Sequence, residues 1–119
     1  MARRVLVIDD NTAQRDIVAE ILAAEGYEVA VATNGLDGLA AARASPPAVV
    51  LLDLMMPGLD GAAVLRELRA DPALASVRVV VTTAVSTALV TKLLKPDATL
   101  FKPFGMRELL GVLAQLAPG

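Results

Sequence analysis

A chain of 119 residues that is 55% hydrophobic holds enough apolar surface for one buried core and no room for a second, so it reads as a single domain over residues 1–119. Thirteen acidic against eleven basic side chains give a formal net charge of −2 with no basic run beyond Arg3-Arg4, which argues against nucleic acid or an anionic membrane as a direct partner. Cysteine and histidine are both absent, which excludes disulfides, thiolate chemistry, Ser-His-Asp and Cys-His mechanisms and most zinc sites.

In chain order, Val5-Leu6-Val7-Ile8 is an unbroken apolar run of strand length. Arg3-Arg4 ahead of it imitates a signal peptide, but Asp9-Asp10 ends the run before an h-region forms. No apolar stretch approaches the ~20 residues that span a bilayer, and the cytoplasm is the expected compartment. Ile17, Val18, Ile21 and Leu22 recur at helical spacing, which predicts a first helix over Thr12 to Glu25 with Gly26 as its C-terminal stop. Tyr27 to Ala32 is β-branched and alternating, a second strand at a sheet edge. Asn34-Gly35 looks like a hairpin turn, yet Leu36, Leu39, Ala40 and Arg43 follow a helical period; the reading is a loop into a second helix, with a short hairpin as the alternative.

Ser45-Pro46-Pro47 ends that helix and leads into Val49-Val50-Leu51-Leu52, a second fully apolar strand run. Asp60-Gly61 precedes a third helix carrying Val64, Leu65 and Leu68 and stopped by Asp71-Pro72. Val77 to Thr82 is the fourth strand, Ala88 to Leu94 a short helical piece and Thr99 to Phe101 a brief fifth strand. Leu109, Leu110, Leu113 and Leu116 mark a last amphipathic helix. Five strands alternating with five helices predict an α/β doubly wound parallel sheet covered on both faces.

In such sheets ligands bind at the strand C-terminal ends, and there the chain places Asp9, Asp10 and Asp53. Carboxylates crowded together repel by roughly 4 kcal/mol per pair at about 4 Å and an effective dielectric of about 20, so a positive group must sit among them. A hard, partly hydrated cation such as Mg2+ suits an all-oxygen cluster. Lys102, just after Leu100-Phe101, is a candidate internal cation, and Thr83, ending another strand-like run, offers a hydroxyl. Each residue alone has an ordinary reading: Asp9-Asp10 as helix caps, Asp53 as a turn residue, Thr83 as a β-former, Lys102 as a solvated lysine. Their joint placement at separate strand ends is what points to a phosphoryl site.

The motifs Val-Ile-Asp9-Asp10-Asn11, Leu-Leu-Asp53-Leu-Met-Met-Pro57-Gly58-Leu-Asp60-Gly61, Val-Thr82-Thr83-Ala84 and Phe101-Lys102-Pro103-Phe104, in this order and spacing, resemble the receiver domains of bacterial two-component response regulators over essentially the whole chain. The resemblance implies a flavodoxin-like sheet of order 2-1-3-4-5 and a phosphoryl acceptor at Asp53. It further implies Mg2+ bound by Asp9, Asp10, Asp53 and the Met55 backbone carbonyl, with Thr83 and Lys102 contacting the phosphoryl group and Ala84 leaving it room. A cis Lys102-Pro103 peptide is also expected from it.

Three departures from the family stand out. Thr99 replaces the aromatic residue usual three positions before the lysine, and Phe101, of the same strand parity, is the candidate to cover that surface. The segment from Thr83 to Lys102 is short and interrupted by Pro96, predicting a stubby fourth helix with a partly exposed apolar patch. Met55 and Val85 make an apolar rim where polar groups often orient a water, predicting slow autodephosphorylation.

The expected function is a phosphorylation-activated signalling switch that accepts its phosphoryl group from a histidine kinase or phosphotransfer protein and catalyses only its own phosphorylation and dephosphorylation. Output is expected through protein contacts, from a monomer or weak dimer, or through a domain outside this sequence. A pseudo-receiver acting as a phosphorylation-independent interaction module is the alternative; an aspartyl phosphatase would want a second acid where Met55 stands.

Overall fold

The computed structural model describes residues 3–56, 60–84 and 95–117. The elements run β1 (Arg4–Ile8), α1 (Thr12–Ala24), β2 (Glu28–Ala32), α2 (Gly35–Ala44), β3 (Val49–Asp53), α3 (Gly61–Ala70), β4 (Arg78–Thr83), β5 (Ala98–Phe101) and α4 (Met106–Leu116). All adjacent strands are parallel, in the order β2-β1-β3-β4-β5, the sheet order that the family resemblance implies. The short helix expected at Ala88 to Leu94, and Val85 with it, lie outside the described residues; four helices stand among those described.

The continuous apolar runs are explained by burial on both faces. Alternate residues of β1, β3 and β4 feed two cores. Leu6, Ile8, Val50, Leu52, Val79 and Val81 meet Leu39 of α2 and Val64, Leu65 and Leu68 of α3. Val5, Val7, Val49, Leu51 and Val80 meet Val18 and Leu22 of α1 and Leu109 and Leu113 of α4. β3 is buried along its whole length and β1 from Val5 to Ile8, so the acids at their ends are carried to the rim by a rigid support.

Local chemistry sets the element ends. Gly26 has φ of +95°, the left-handed conformation that glycine adopts without strain, just past α1. The connection at Thr33-Asn34 is the expected loop into α2 and not the alternative hairpin turn. Asn34 is the N-cap, its side-chain oxygen accepting the Asp37 N–H at 2.8 Å, and the helix starts at Gly35 itself. Asp9 and Asp10 do not cap α1; Asn11 does, accepting the Gln14 N–H at 3.0 Å. The Lys102-Pro103 peptide is cis, as expected.

A part-buried ion cluster that the sequence reading passed over joins the far end of the sheet. Asp97 accepts the Val79 N–H at 2.7 Å, Arg69 at 2.8 Å and Arg78 at 3.3 Å, tying α3 and β4 to the start of β5. Burial pushes its carboxyl up, but the Arg69 and Val79 hydrogen bonds outweigh that and hold it below the usual carboxylate range.

Candidate functional site

The sheet order converts positions far apart in sequence into neighbours along one rim. β1 lies beside β3, β3 beside β4 and β4 beside β5, so Asp9-Asp10, Asp53, Thr83 and Lys102 follow one another across consecutive strand ends. Asp53 is in register with Thr82, and Thr83 with Phe101, the residue before Lys102. The Lys102 N–H extends the ladder by donating to the Thr83 carbonyl at 2.7 Å.

Asp9 and Asp53 are each only 5% exposed and Thr83 is fully buried, whereas Asp10 faces solvent. One carboxylate oxygen from each of the three acids falls within 4.8 Å of the others. Lys102 Nζ reaches into this cluster, 3.4 Å from Asp53 Oδ1 and 3.7 Å from Asp9 Oδ2. One ammonium among three carboxylates leaves two negative charges unbalanced when all are ionised. Three hard oxygen donors with excess negative charge suit a small divalent cation of the Mg2+ type.

Backbone amides orient the buried acids. The Asn11 N–H donates to Asp9 Oδ1 at 2.9 Å, and the Met55 N–H to Asp53 Oδ1 at 3.2 Å. Each is a carboxylate bonded to the amide two residues on, which folds the chain back over its own side chain. Burial raises the Asp53 carboxyl to about 6; Lys102 and the Met55 N–H pull it down, and the Asp9 charge adds to the rise. At neutral pH it is largely ionised yet poorly solvated, a reactive state for a carboxylate nucleophile. Met55 itself is exposed, its side chain on the rim of the site.

Thus the structure brings Asp9, Asp10, Asp53 and Lys102 into one cluster and sets Thr83 on the strand end between Asp53 and Lys102. The sequence reading passed over Gly61, which starts α3 and whose N–H donates to the Leu54 carbonyl at 3.1 Å. In the sequence Gly61 figured only in the Asp60-Gly61 helix start and as the last residue of the Asp53 motif, neither of which gave it a role of its own.

The profile of the response regulator receiver domain matches residues 5–114. The DNA-binding response regulator MtrA of Mycolicibacterium paratuberculosis is 36% identical over 110 residues, 92% of this chain and 49% of that protein. The chain therefore spans about half the length of this curated relative. Among solved structures, the chemotaxis protein CheY4 of Vibrio cholerae superposes with a TM-score of 0.91 at 26% identity, covering 98% of this chain and 99% of that one. The receiver domain of the sensor histidine kinase PA1611 from Pseudomonas aeruginosa superposes with a TM-score of 0.90 at 24% identity over 100% of both chains; that protein holds a magnesium ion in its active site cleft.

Proposed function

The chain belongs to the response regulator receiver domain family, and we propose that it is a signalling switch that takes a phosphoryl group onto Asp53 from a histidine kinase or a phosphotransfer protein. The observation that carries this reading is the buried Asp53 carboxylate, held between Lys102 at 3.4 Å and the Asp9-Asp10 pair on a rim of strand ends.

The Asp53 carboxylate is the nucleophile. One of its oxygens forms a bond to phosphorus as the bond to the donor atom breaks, the donor leaves with the bonding electrons, and an acyl phosphate results. Lys102, already aimed at Asp53, pairs with the transferred oxygens, and the Thr83 hydroxyl meets them from the neighbouring strand. Asp9, Asp10, Asp53 and the Met55 carbonyl would hold Mg2+, which when bound neutralises phosphoryl charge. Engagement of Thr83 and Lys102 by the new oxygens biases the β4 and β5 ends toward a second arrangement. The protein catalyses its own phosphorylation and dephosphorylation, turns over no separate substrate, and works in the cytoplasm.

Intact-mass measurement after incubation with acetyl phosphate and Mg2+ tests this. A single phosphoryl adduct, lost in Asp53→Asn and lost with a chelator, is the expected result. No adduct under any condition overturns the proposal and leaves a phosphorylation-independent interaction module.

A further inference from the structure

A Cβ added at Gly61 would lie 2.5 Å from the Asp53 carbonyl oxygen, 2.6 Å from the Leu54 Cα and 3.1 Å from the Leu54 carbonyl oxygen. All three are backbone atoms, so no side chain can swing aside to make room. The glycine is not there for conformational freedom, because its backbone is helical and Gly26 is the glycine with positive φ among the described residues. Glycine is also a poorer helix former than alanine. Space is what the position requires.

That space is used to hold the acceptor segment. Leu54 is pinned from both sides: its N–H donates to the Thr82 carbonyl at 3.0 Å, and its carbonyl accepts the Gly61 N–H at 3.1 Å. The peptide that follows presents the Met55 N–H to Asp53 Oδ1. We infer that Gly61 is a positioning residue: its missing side chain lets the first turn of α3 press on the Asp53-Leu54 backbone, which sets where the Asp53 carboxylate and Met55 carbonyl stand. This inference rests on the receiver reading above. A Cβ at Gly61 forces α3 and the acceptor segment apart, moving two oxygen donors of a cation that demands near-ideal octahedral geometry. Displacements of about 1 Å at a reacting centre cost on the order of a hundredfold in rate.

The test compares wild type, Gly61→Ala and Leu68→Ala by titration calorimetry with Mg2+, by urea unfolding and by the rate of Mg2+-dependent adduct formation from acetyl phosphate. Leu68 is fully buried on the same helix, about two turns beyond Gly61, so Leu68→Ala weakens α3 packing away from the first turn that meets the acceptor segment. Gly61→Ala is expected to lower Mg2+ affinity about tenfold and the adduct rate by roughly ten- to a hundredfold. Leu68→Ala, destabilised in urea, is expected to bind Mg2+ within about twofold of wild type, because distant sites act independently.

Should Gly61→Ala not fold, Asp60→Ala takes its place. It removes the cap that accepts the Ala63 N–H at 2.8 Å, loosens the same turn, and is expected to shift Mg2+ affinity in the same direction. Equal Mg2+ affinity in wild type and the folded variant, or equal losses in that variant and Leu68→Ala, overturns the inference alone. A wild type that forms no Mg2+-dependent adduct overturns the receiver reading and this inference with it.

Discussion

Replacing Asp53 by asparagine should stabilise the metal-free protein, and by an amount that depends on pH. Burial raises the folded-state carboxyl to about 6 against an ordinary value of 3.8. Between these values the folded state binds more protons than the unfolded one, so stability falls as pH rises through that window. Below it both states are protonated and nothing is lost. Above it the loss is complete, at most about 3 kcal/mol for a shift of about two pKa units. Asparagine has no such titration, and Lys102 keeps Asp9 as a partner at 3.7 Å. In urea with a chelator, Asp53→Asn should therefore exceed wild type by about 2–3 kcal/mol at pH 7.5 and by nearly nothing at pH 4. That corresponds to a thermal midpoint higher by roughly 10 °C at pH 7.5. Mg2+ should narrow the gap, since a ligand at a hundred times its Kd adds about 2.7 kcal/mol to the state that binds it. Parallel pH profiles for the two proteins, or a gap that widens toward acid, would refute the claim that Asp53 is destabilised by burial.

Asp97 should behave with the opposite sign. Its donors hold it below the ordinary value, so its contribution is present above pH 3.8 and disappears as pH falls through the depressed folded value. Asp97→Asn should cost about 1.5–3 kcal/mol in urea at pH 7, the range for hydrogen bonds to a charged group, and an unchanged midpoint would contradict the role given to the cluster. Met55 is exposed on the site rim and apolar, so the phosphorylated protein should lose its group slowly and Met55→Asn should shorten the half-life in a radiolabel chase. Phe101 is 44% exposed and pairs in register with Thr83, so Phe101→Ala should abolish the phosphorylation-dependent change in hydrogen exchange at the β4 and β5 ends. An intact change would remove Phe101 from the switch.

The element order was legible because its signals are local. Val5 to Ile8 and Val49 to Leu52 are apolar without alternation because both sheet faces are covered, and that pattern alone places them in the middle of a parallel sheet. The alternative that stood open at Asn34-Gly35 has a local cause too. The same asparagine that favours a turn also caps a helix; the helical period of the residues after it favours the cap, and the packing of α2 on β1 and β2 confirms it. At the site, the acids, the hydroxyl and the lysine could be named from their strand ends, but not which carboxylate the lysine holds.

By itself the sequence determined a doubly wound sheet with acids at its C-terminal rim, since burial periodicity and strand termination depend on neighbours within one element. Tertiary structure alone decided three things: the pairing of Lys102 with Asp53, the approach of Gly61 to the Asp53 backbone, and the joining of Arg69, Val79 and Asp97. Each joins residues from different elements. Desolvation and ångström-scale contact are properties of the space where those elements meet, and no single stretch of the chain contains that space.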